Sequence, residues 1–228
     1  VPNTKLQWEK KSQLDLGLEM ALLKNRVHVG FNFFKSHAYD LLLNSNISSV
    51  YGSYDYYENN GEIDTYGEEA FIRVNPIHTK NWDIVLGANI AVANSEVKSL
   101  GDARSMTIDY TGYNNDDAQM IMSVGGAPYE FYGYKTKGVF RSSAEAQAAG
   151  LVNSSGDAYR AGDVHFVDTN EDGIINEQDK VRLGSSMPDF YGGFNLSARY
   201  KKFALDANFA YSVGAKVHNA TRRQMESM

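Results

Sequence analysis

The chain of 228 residues has no cysteine, which excludes disulfides and thiolate metal centres. Basic residues are in the minority, 22 Lys and Arg against 28 Asp and Glu, for a formal net charge of −6. Nucleic-acid binders concentrate positive charge on one surface, so this balance argues against a nucleic-acid partner. No run of about eighteen apolar residues marks a membrane helix, and no signal-peptide pattern follows Val1. That test is blind to membrane β-barrels, whose strands are only half apolar. There is no phosphate-binding Gly-Lys-Ser/Thr loop, no His-Glu-x-x-His and no Gly-x-Ser-x-Gly. The five histidines (His28, His37, His78, His165, His218) are scattered without ligand spacing. Glu68 and Glu69 are adjacent and face opposite sides of a strand, so they cannot flank one glycosidic bond, and Asp116-Asp117 reads as a solvated loop. These absences leave no signature of an enzyme.

What is present is alternation, within a chain that is 43% hydrophobic and holds 15 Tyr and 11 Phe. Leu14, Leu16, Leu18 and Met20 share one face and Asp15, Gly17 and Glu19 the other; after a turn at 23–26, Val27 to Phe33 repeats the pattern. A polar, tyrosine-rich stretch, about 40–66, reads as a loop. Ala70, Ile72 and Val74 then pair with a return strand carrying Trp82, Ile84, Leu86, Ala88, Ile90 and Val92 on one face. A third hairpin spans Phe190 to Val213 and turns at Tyr200-Lys201-Lys202. Short turns on one side and long loops on the other are the pattern of outer-membrane barrels, with Trp82, Tyr200, Phe203 and Tyr211 near strand ends where interfacial aromatics belong. The polar face carries Asp15, Glu19, Asn32, Glu69, Arg73, Asn75, Asp83, Asn89, Asn195, Arg199, Asp206 and Asn208. As a set it reads as a hydrated wall facing a plug or substrate; residue by residue it is no more than a barrel interior requires.

The stretch Asp168 to Asp179 has the form of a calcium loop. Asp168, Asn170, Asp172, Asn176 and Asp179 place oxygens at positions 1, 3, 5, 9 and 12, Gly173 permits the turn at position 6, and the Ile174 carbonyl adds a ligand. Asp rather than Glu closes the loop, as in dockerin-type variants, and Ile175 is free to pack. The alternative is an Asx-rich turn that binds nothing. Calcium is expected here as a structural cofactor. Upstream, Ser142 and Glu145 form a capping box before an Ala-rich helix that ends at Gly150. An excursion from 98 to 188 without internal order would be unusual, so it reads as a folded subdomain pinned by the ion.

An ordered series of motifs then carries a family resemblance. Leu6-Gln7-Trp8-Glu9-Lys10, Asn60-Gly61-Glu62-Ile63, Gly126-Ala127-Pro128, Phe131 to Phe140, Gly162 to Asp168 and Asn219-Ala220-Thr221-Arg222 resemble the SusC/RagA family of TonB-dependent outer-membrane transporters of Bacteroidetes. The resemblance covers nearly the whole chain. It implies part of a large barrel, a plug upstream through which TonB acts, a SusD-like lipoprotein lid, and import of glycan oligomers or peptides. Six strands are too few to close a barrel, for which about eight is the practical minimum, so the chain is expected to be one part of a larger transporter.

The expected fold is therefore all-β: antiparallel strands of a partial transmembrane β-barrel, with an external subdomain carrying an EF-hand- or dockerin-like calcium loop. The expected divisions are 1–97 (strands and one external loop), 98–188 (extracellular insertion with the loop 168–179) and 189–228 (a hairpin and the start of the next external loop). Tyr51, Tyr54, Tyr56, Tyr57, Tyr129, Phe131, Tyr132 and Tyr134 are candidates to face substrate or lid. The outer membrane is the expected location. A soluble calcium-stapled β-sandwich for binding or adhesion, and a passive porin-like channel, are the alternatives.

Overall fold

A computed structural model describes residues 3–46, 55–112 and 116–226. They form two compact units. The first contains Val1–Met106, Met122–Pro128 and Met187–Lys216, and the second contains Thr107–Ile121, Tyr129–Ser186 and Val217–Met228. Three pieces of the stretch 98–188, residues 98–106, 122–128 and 187–188, thus cluster with the strands rather than with the insertion.

The first unit is one antiparallel sheet of six strands: β1 (Lys10–Leu22), β2 (Val27–Asn46), β3 (Asp55–His78), β4 (Trp82–Leu100), β13 (Phe190–Tyr200) and β14 (Phe203–Val213), paired in that order. The sheet is open, with β1 and β14 at its edges. All three expected hairpins are present. The first turn holds Leu23, Lys24 and Asn25 at φ of 52°, 53° and 65°. In the second, Thr79 Oγ1 accepts from the Trp82 amide at 3.0 Å. Neighbouring turns are tied together, since the Asn75 amide donates to Arg26 O at 2.7 Å and the Lys201 amide to Asn81 O at 2.9 Å. Trp82 pairs with Tyr200 in the ladder and their rings lie 4.5 Å apart.

Because pairing is unbroken through these cores, the alternation of each strand is carried across the sheet. Leu22, Val27, Val74, Leu86, Leu196 and Ala207 form one apolar row, and Met20, Val29, Ile72, Ala88, Phe194 and Phe209 form the next. Leu16, Leu18, Leu86, Ile90, Phe194 and Phe209 are all exposed. In a sandwich these side chains would meet a second sheet and form a dry core. Among the described residues of the unit no such sheet covers them.

The stretch 40–66 differs from its expected loop form. β2 continues to Asn46 and β3 starts at Asp55, so most of it is paired strand. Polarity suggested a loop, but ladder hydrogen bonds hold a strand without needing apolar side chains. The run is irregular between Glu62 and Ile63, where pairing with β4 shifts, and around Asp40, which has φ 56° with register shifts between Ala38 and Leu42. Here the chain ahead of β1 is strapped on. The Gln7 amide donates to Asn59 Oδ1 and Asn59 Nδ2 donates back to Gln7 O, each at 2.9 Å, while Lys10 Nζ reaches Asp40 Oδ2 at 2.7 Å.

In the second unit, β5 (Ser105–Gly112), β6 (Asp116–Ser123), β7 (Glu130–Tyr134) and β12 (Lys180–Ser185) make a four-stranded sheet in the order β12-β7-β6-β5. Two ribbons pair β8 (Thr136–Val139) with β10 (Val164–Phe166) and β9 (Val152–Asn153) with β11 (Ile174–Ile175). Helix α1 (Ser143–Ala149) is capped as its sequence implies: Ser142 Oγ accepts from the Glu145 amide at 3.2 Å, Glu145 Oε2 accepts from the Arg141 amide at 2.9 Å, and Gly150 ends it at φ 66°. A second helix, α2 (Ala220–Glu226), follows β14 in sequence. Phe140, Ala146, Leu151 and Ile175 are the core, flanked by Tyr134, Tyr159 and Phe166.

Close backbone approach gives the sheet one sensitive position. At Gly192 a Cβ would collide with the Asn89 carbonyl oxygen and meet the Tyr211 hydroxyl, which itself donates to Asn89 O at 3.0 Å. Gly192→Ala is expected to cost on the order of 1–3 kcal/mol as overpacking. At Gly133 the added carbon would meet only Leu183 Cδ1, at 3.5 Å, and Gly133→Ala should stay within about 0.5 kcal/mol. Denaturant midpoints of the two variants check this; equal midpoints would show that the sheet yields at Gly192.

Candidate functional site

Loop 168–179 is organised by its own acidic side chains accepting backbone amides. Asp168 takes the Glu171 amide on Oδ1 and the Gly173 amide on Oδ2, both at 2.8 Å. Asp172 Oδ1 accepts from Ile174 N at 2.7 Å, and Asn170 Oδ1 accepts from Asp172 N at 3.2 Å. These turns need left-handed backbone, which Glu171 (φ 62°) and Gly173 (φ 81°) supply. Asn176 begins a short 3-10 turn, Glu177–Asp179, with a reciprocal cap: its Oδ1 accepts from the Gln178 amide at 2.8 Å, and Asp179 Oδ2 accepts from its own amide at 2.9 Å. The Ile174 carbonyl faces Asn176 Nδ2 at 3.4 Å. Ile175 turns inward, 6% exposed, and joins the core.

Asp179 closes the loop. It is 0% exposed, and its second oxygen accepts from the Thr169 amide at 2.8 Å. Burial pushes its carboxyl up, but amides of Asn176, Thr169 and Asn170 outweigh burial, and the group sits below the ordinary carboxylate range. Asp168 lies within hydrogen-bonding reach of it, so loop positions 1 and 12 are brought together. Two carboxylates side by side, with nearby amide and carbonyl oxygens, are a donor set suited to a hard cation. Among the described residues, however, no group of three or more acidic or histidine side chains is gathered to hold a metal ion.

Lys180, next along the chain, ties the loop to the four-stranded sheet. Its Nζ donates to Gln119 Oε1 and to Glu177 Oε2, both at 2.7 Å, and lies 5.5 Å from the centre of the Tyr134 ring. Burial and the charge of Glu177 push the Tyr134 phenol up. Sequence reasoning passed over Lys180, Thr169 and Gln119, because their partners are side chains distant in sequence or main-chain atoms.

The aromatic candidates do not form one cluster that can be described. Tyr51 and Tyr54 lie outside the described residues. Tyr56 and Tyr57 fall within β3, opposite Ser45 and Asn44, and Tyr57 is half exposed. Tyr129 has φ 58° and is also half exposed. Phe131, Tyr132 and Tyr134 lie on β7 and are partly buried. On the polar face of the six-stranded sheet, Asp83 gathers Asn75 Nδ2, His78 Nδ1 and Arg199 Nη2, each at 3.0 Å. On the same face the Phe71 ring packs over Gly30 and the Asn32 carboxamide lies beside Gly17, contacts that the sequence signalled only through the polar-face positions of the two glycines.

Asp179→Ala leaves the Thr169 and Asn176 amides without their acceptor, a cost of about 1–3 kcal/mol for buried donors. With chelator present, hydrogen exchange at those two amides should accelerate while exchange in β13 and β14 is unchanged. Unchanged protection at Thr169 would show that the loop is held elsewhere.

Comparison with known proteins bears on the whole chain. No protein-family model matches it. It is 31% identical over 226 residues to TonB-dependent receptor P3 of Formosa agariphila, covering 99% of this chain and 22% of that receptor. It is 27% identical over 225 residues to TonB-dependent receptor SusC of Bacteroides thetaiotaomicron, covering 95% of this chain and 20% of SusC. The fold matches a structure of the RagAB peptide transporter with a TM-score of 0.70 at 24% identity, over 94% of this chain and 22% of that one. An open-open state of the RagAB peptide importer matches with a TM-score of 0.73, also at 24% identity, over 93% of this chain and 21% of that one. The chain thus spans about a fifth of the length of the curated relatives it matches. In sequence and in fold it is SusC/RagA-like, similar over nearly all its length to one part of a TonB-dependent receptor.

Proposed function

We propose that this chain supplies part of the barrel wall of a TonB-dependent outer-membrane importer. The observation that carries this reading is the exposed apolar face of the six-stranded sheet. On β4 the apolar row runs from Trp82 to Val92. Ten residue steps at roughly 3.3 Å, tilted by about 40°, cover about 25 Å, the height of the apolar band of an outer-membrane barrel. Trp82, Tyr200 and Phe203 mark the turn end of that band, where aromatic girdles lie. Beyond Val92 the same face becomes polar, with Asn94 and Glu96, while the strands continue. In this reading the other face lines the lumen, further strands complete the barrel, and the second unit stands outside the cell. The substrates are oligomers, glycan or peptide, delivered beneath a SusD-like lipoprotein lid, and TonB supplies energy through a plug.

The complete receptor tests the reading, with uptake of a labelled oligomer measured before and after collapse of the proton-motive force. Active import predicts that uptake stops. Uptake that continues unchanged would establish the passive-channel alternative.

Calcium at loop 168–179 belongs to the same proposal. Asp168, Asn170, Asp172, Asn176, Asp179 and the Ile174 carbonyl would hold it, and the ion would supply charge neutralisation and order, no chemistry of transformation. Asp172→Ala is expected to abolish calcium binding by calorimetry and to raise hydrogen exchange from about 162 to 184 without altering β13 or β14. Absence of binding heat in the unsubstituted receptor would leave the motif an Asx-rich turn.

A further inference from the structure

Lys180 is the first residue after the loop 168–179 and the first of β12. In the strand order β12-β7-β6 it stands opposite Tyr134, while Gln119 on β6 stands opposite Tyr132. Its ammonium passes over the Tyr134 ring, 5.5 Å from the ring centre, and donates to Gln119 Oε1 at 2.7 Å. One side chain thus reaches from β12 across β7 to β6. It is only 13% exposed, so its charge depends on the partners it keeps.

The second partner belongs to the loop. The Glu177 carboxylate takes the same ammonium at 2.7 Å and accepts from the Tyr134 hydroxyl at 3.4 Å. Glu177 opens the 3-10 turn whose reciprocal cap is made by Asn176 and Asp179. It is therefore placed by two of the residues assigned to calcium. Asp168 and Asp179 lie within hydrogen-bonding reach, and two ionised carboxylates that close repel until a cation lies between them. The empty loop is the looser state, and the free energy of binding goes into ordering it. An ion that fixes Asn176 and Asp179 fixes Glu177, and with it the second anchor of Lys180.

We propose that Lys180 is a positioning residue through which calcium in the loop 168–179 orders β6, a strand that supplies none of its ligands. Ladder bonds carry order from β12 to β7, and the ammonium adds the reach to β6. With the loop empty, Lys180 keeps Gln119 but loses a fixed carboxylate, and its hold across β7 slackens. The bound and empty states thus differ in a contact that β6 feels, which is what coupling between two places in a fold requires. This inference rests on the calcium reading of the loop and assigns its consequence beyond the loop.

The test follows the complete receptor in detergent by calorimetry and hydrogen exchange, with calcium at saturation and with chelator. In the unsubstituted receptor calcium is expected to slow exchange at residues 119–121 at least about fivefold, the lower end of coupling between sites. Lys180→Met keeps the apolar stem and removes the charge: binding heat and the response of the loop should remain, and the response at 119–121 should vanish. Lys180→Arg, which keeps charge and reach, should restore it. Glu177→Ala removes the same contact from the exposed loop side and should reproduce the result of Lys180→Met. A response at 119–121 that survives both Lys180→Met and Glu177→Ala, or that is missing from an unsubstituted receptor whose loop does respond, overturns the proposal and leaves calcium in place. No binding heat in the unsubstituted receptor removes calcium and the proposal together.

Discussion

The continuous antiparallel ladder from β1 to β14 is the constraint on which the rest depends. Strand side chains alternate with a period of two, so one register, once set, assigns every residue of six strands to one of two faces. A one-residue slip in any pair would send Leu86 or Phe209 to the polar face and Asn89 or Asn208 to the apolar one. Tight turns fix the register at one end, where Thr79, Lys201 and the left-handed residues 23–25 hold the chain. The register shifts near Asp40 and between Glu62 and Ile63 towards the other end, and once more between Val74 and Ile77 beside the second turn.

That ladder also explains how so long an insertion is accommodated. β4 and β13 are neighbours in the sheet although about ninety residues separate them in the chain, so the excursion between them begins and ends on paired strands. The second unit needs its own reason to fold, and its apolar core is small. Phe140, Ala146, Leu151 and Ile175 supply the packing, and acidic side chains accepting main-chain amides supply much of the remainder. Asp179 is the extreme case, a fully buried carboxylate kept ionised by the amides around it. The loop is thus curled by its own side chains, with Asp168 brought beside Asp179.

In the importer reading the two faces of the sheet meet different solvents. An apolar row left exposed over some 25 Å is costly in water and favourable in hydrocarbon, whereas the polar face gathers Asn75, His78 and Arg199 around Asp83.

The sequence by itself determined the strand cores, the hairpin turns, the capped helix and the division into two faces, because each depends on contacts between residues near in sequence or on a period of two. The family resemblance, too, rested on motifs in order and agrees with similarity over nearly the whole chain to TonB-dependent receptors. Only the tertiary structure decided the rest. The tyrosine-rich stretch 40–66 became strand because ladder hydrogen bonds, not side-chain polarity, extend β2 and β3. Residues 122–128 joined the first unit through pairing of Val97 with Gly125 and Gly126, and Lys180 acquired partners as far away as Gln119. Glu69, Phe71 and Arg73 were visible as neighbours along one strand, but the place of Phe71 between Gly30 and Asn89 depends on which strands lie next to β3. Those partners are set by long-range register, which no local pattern encodes.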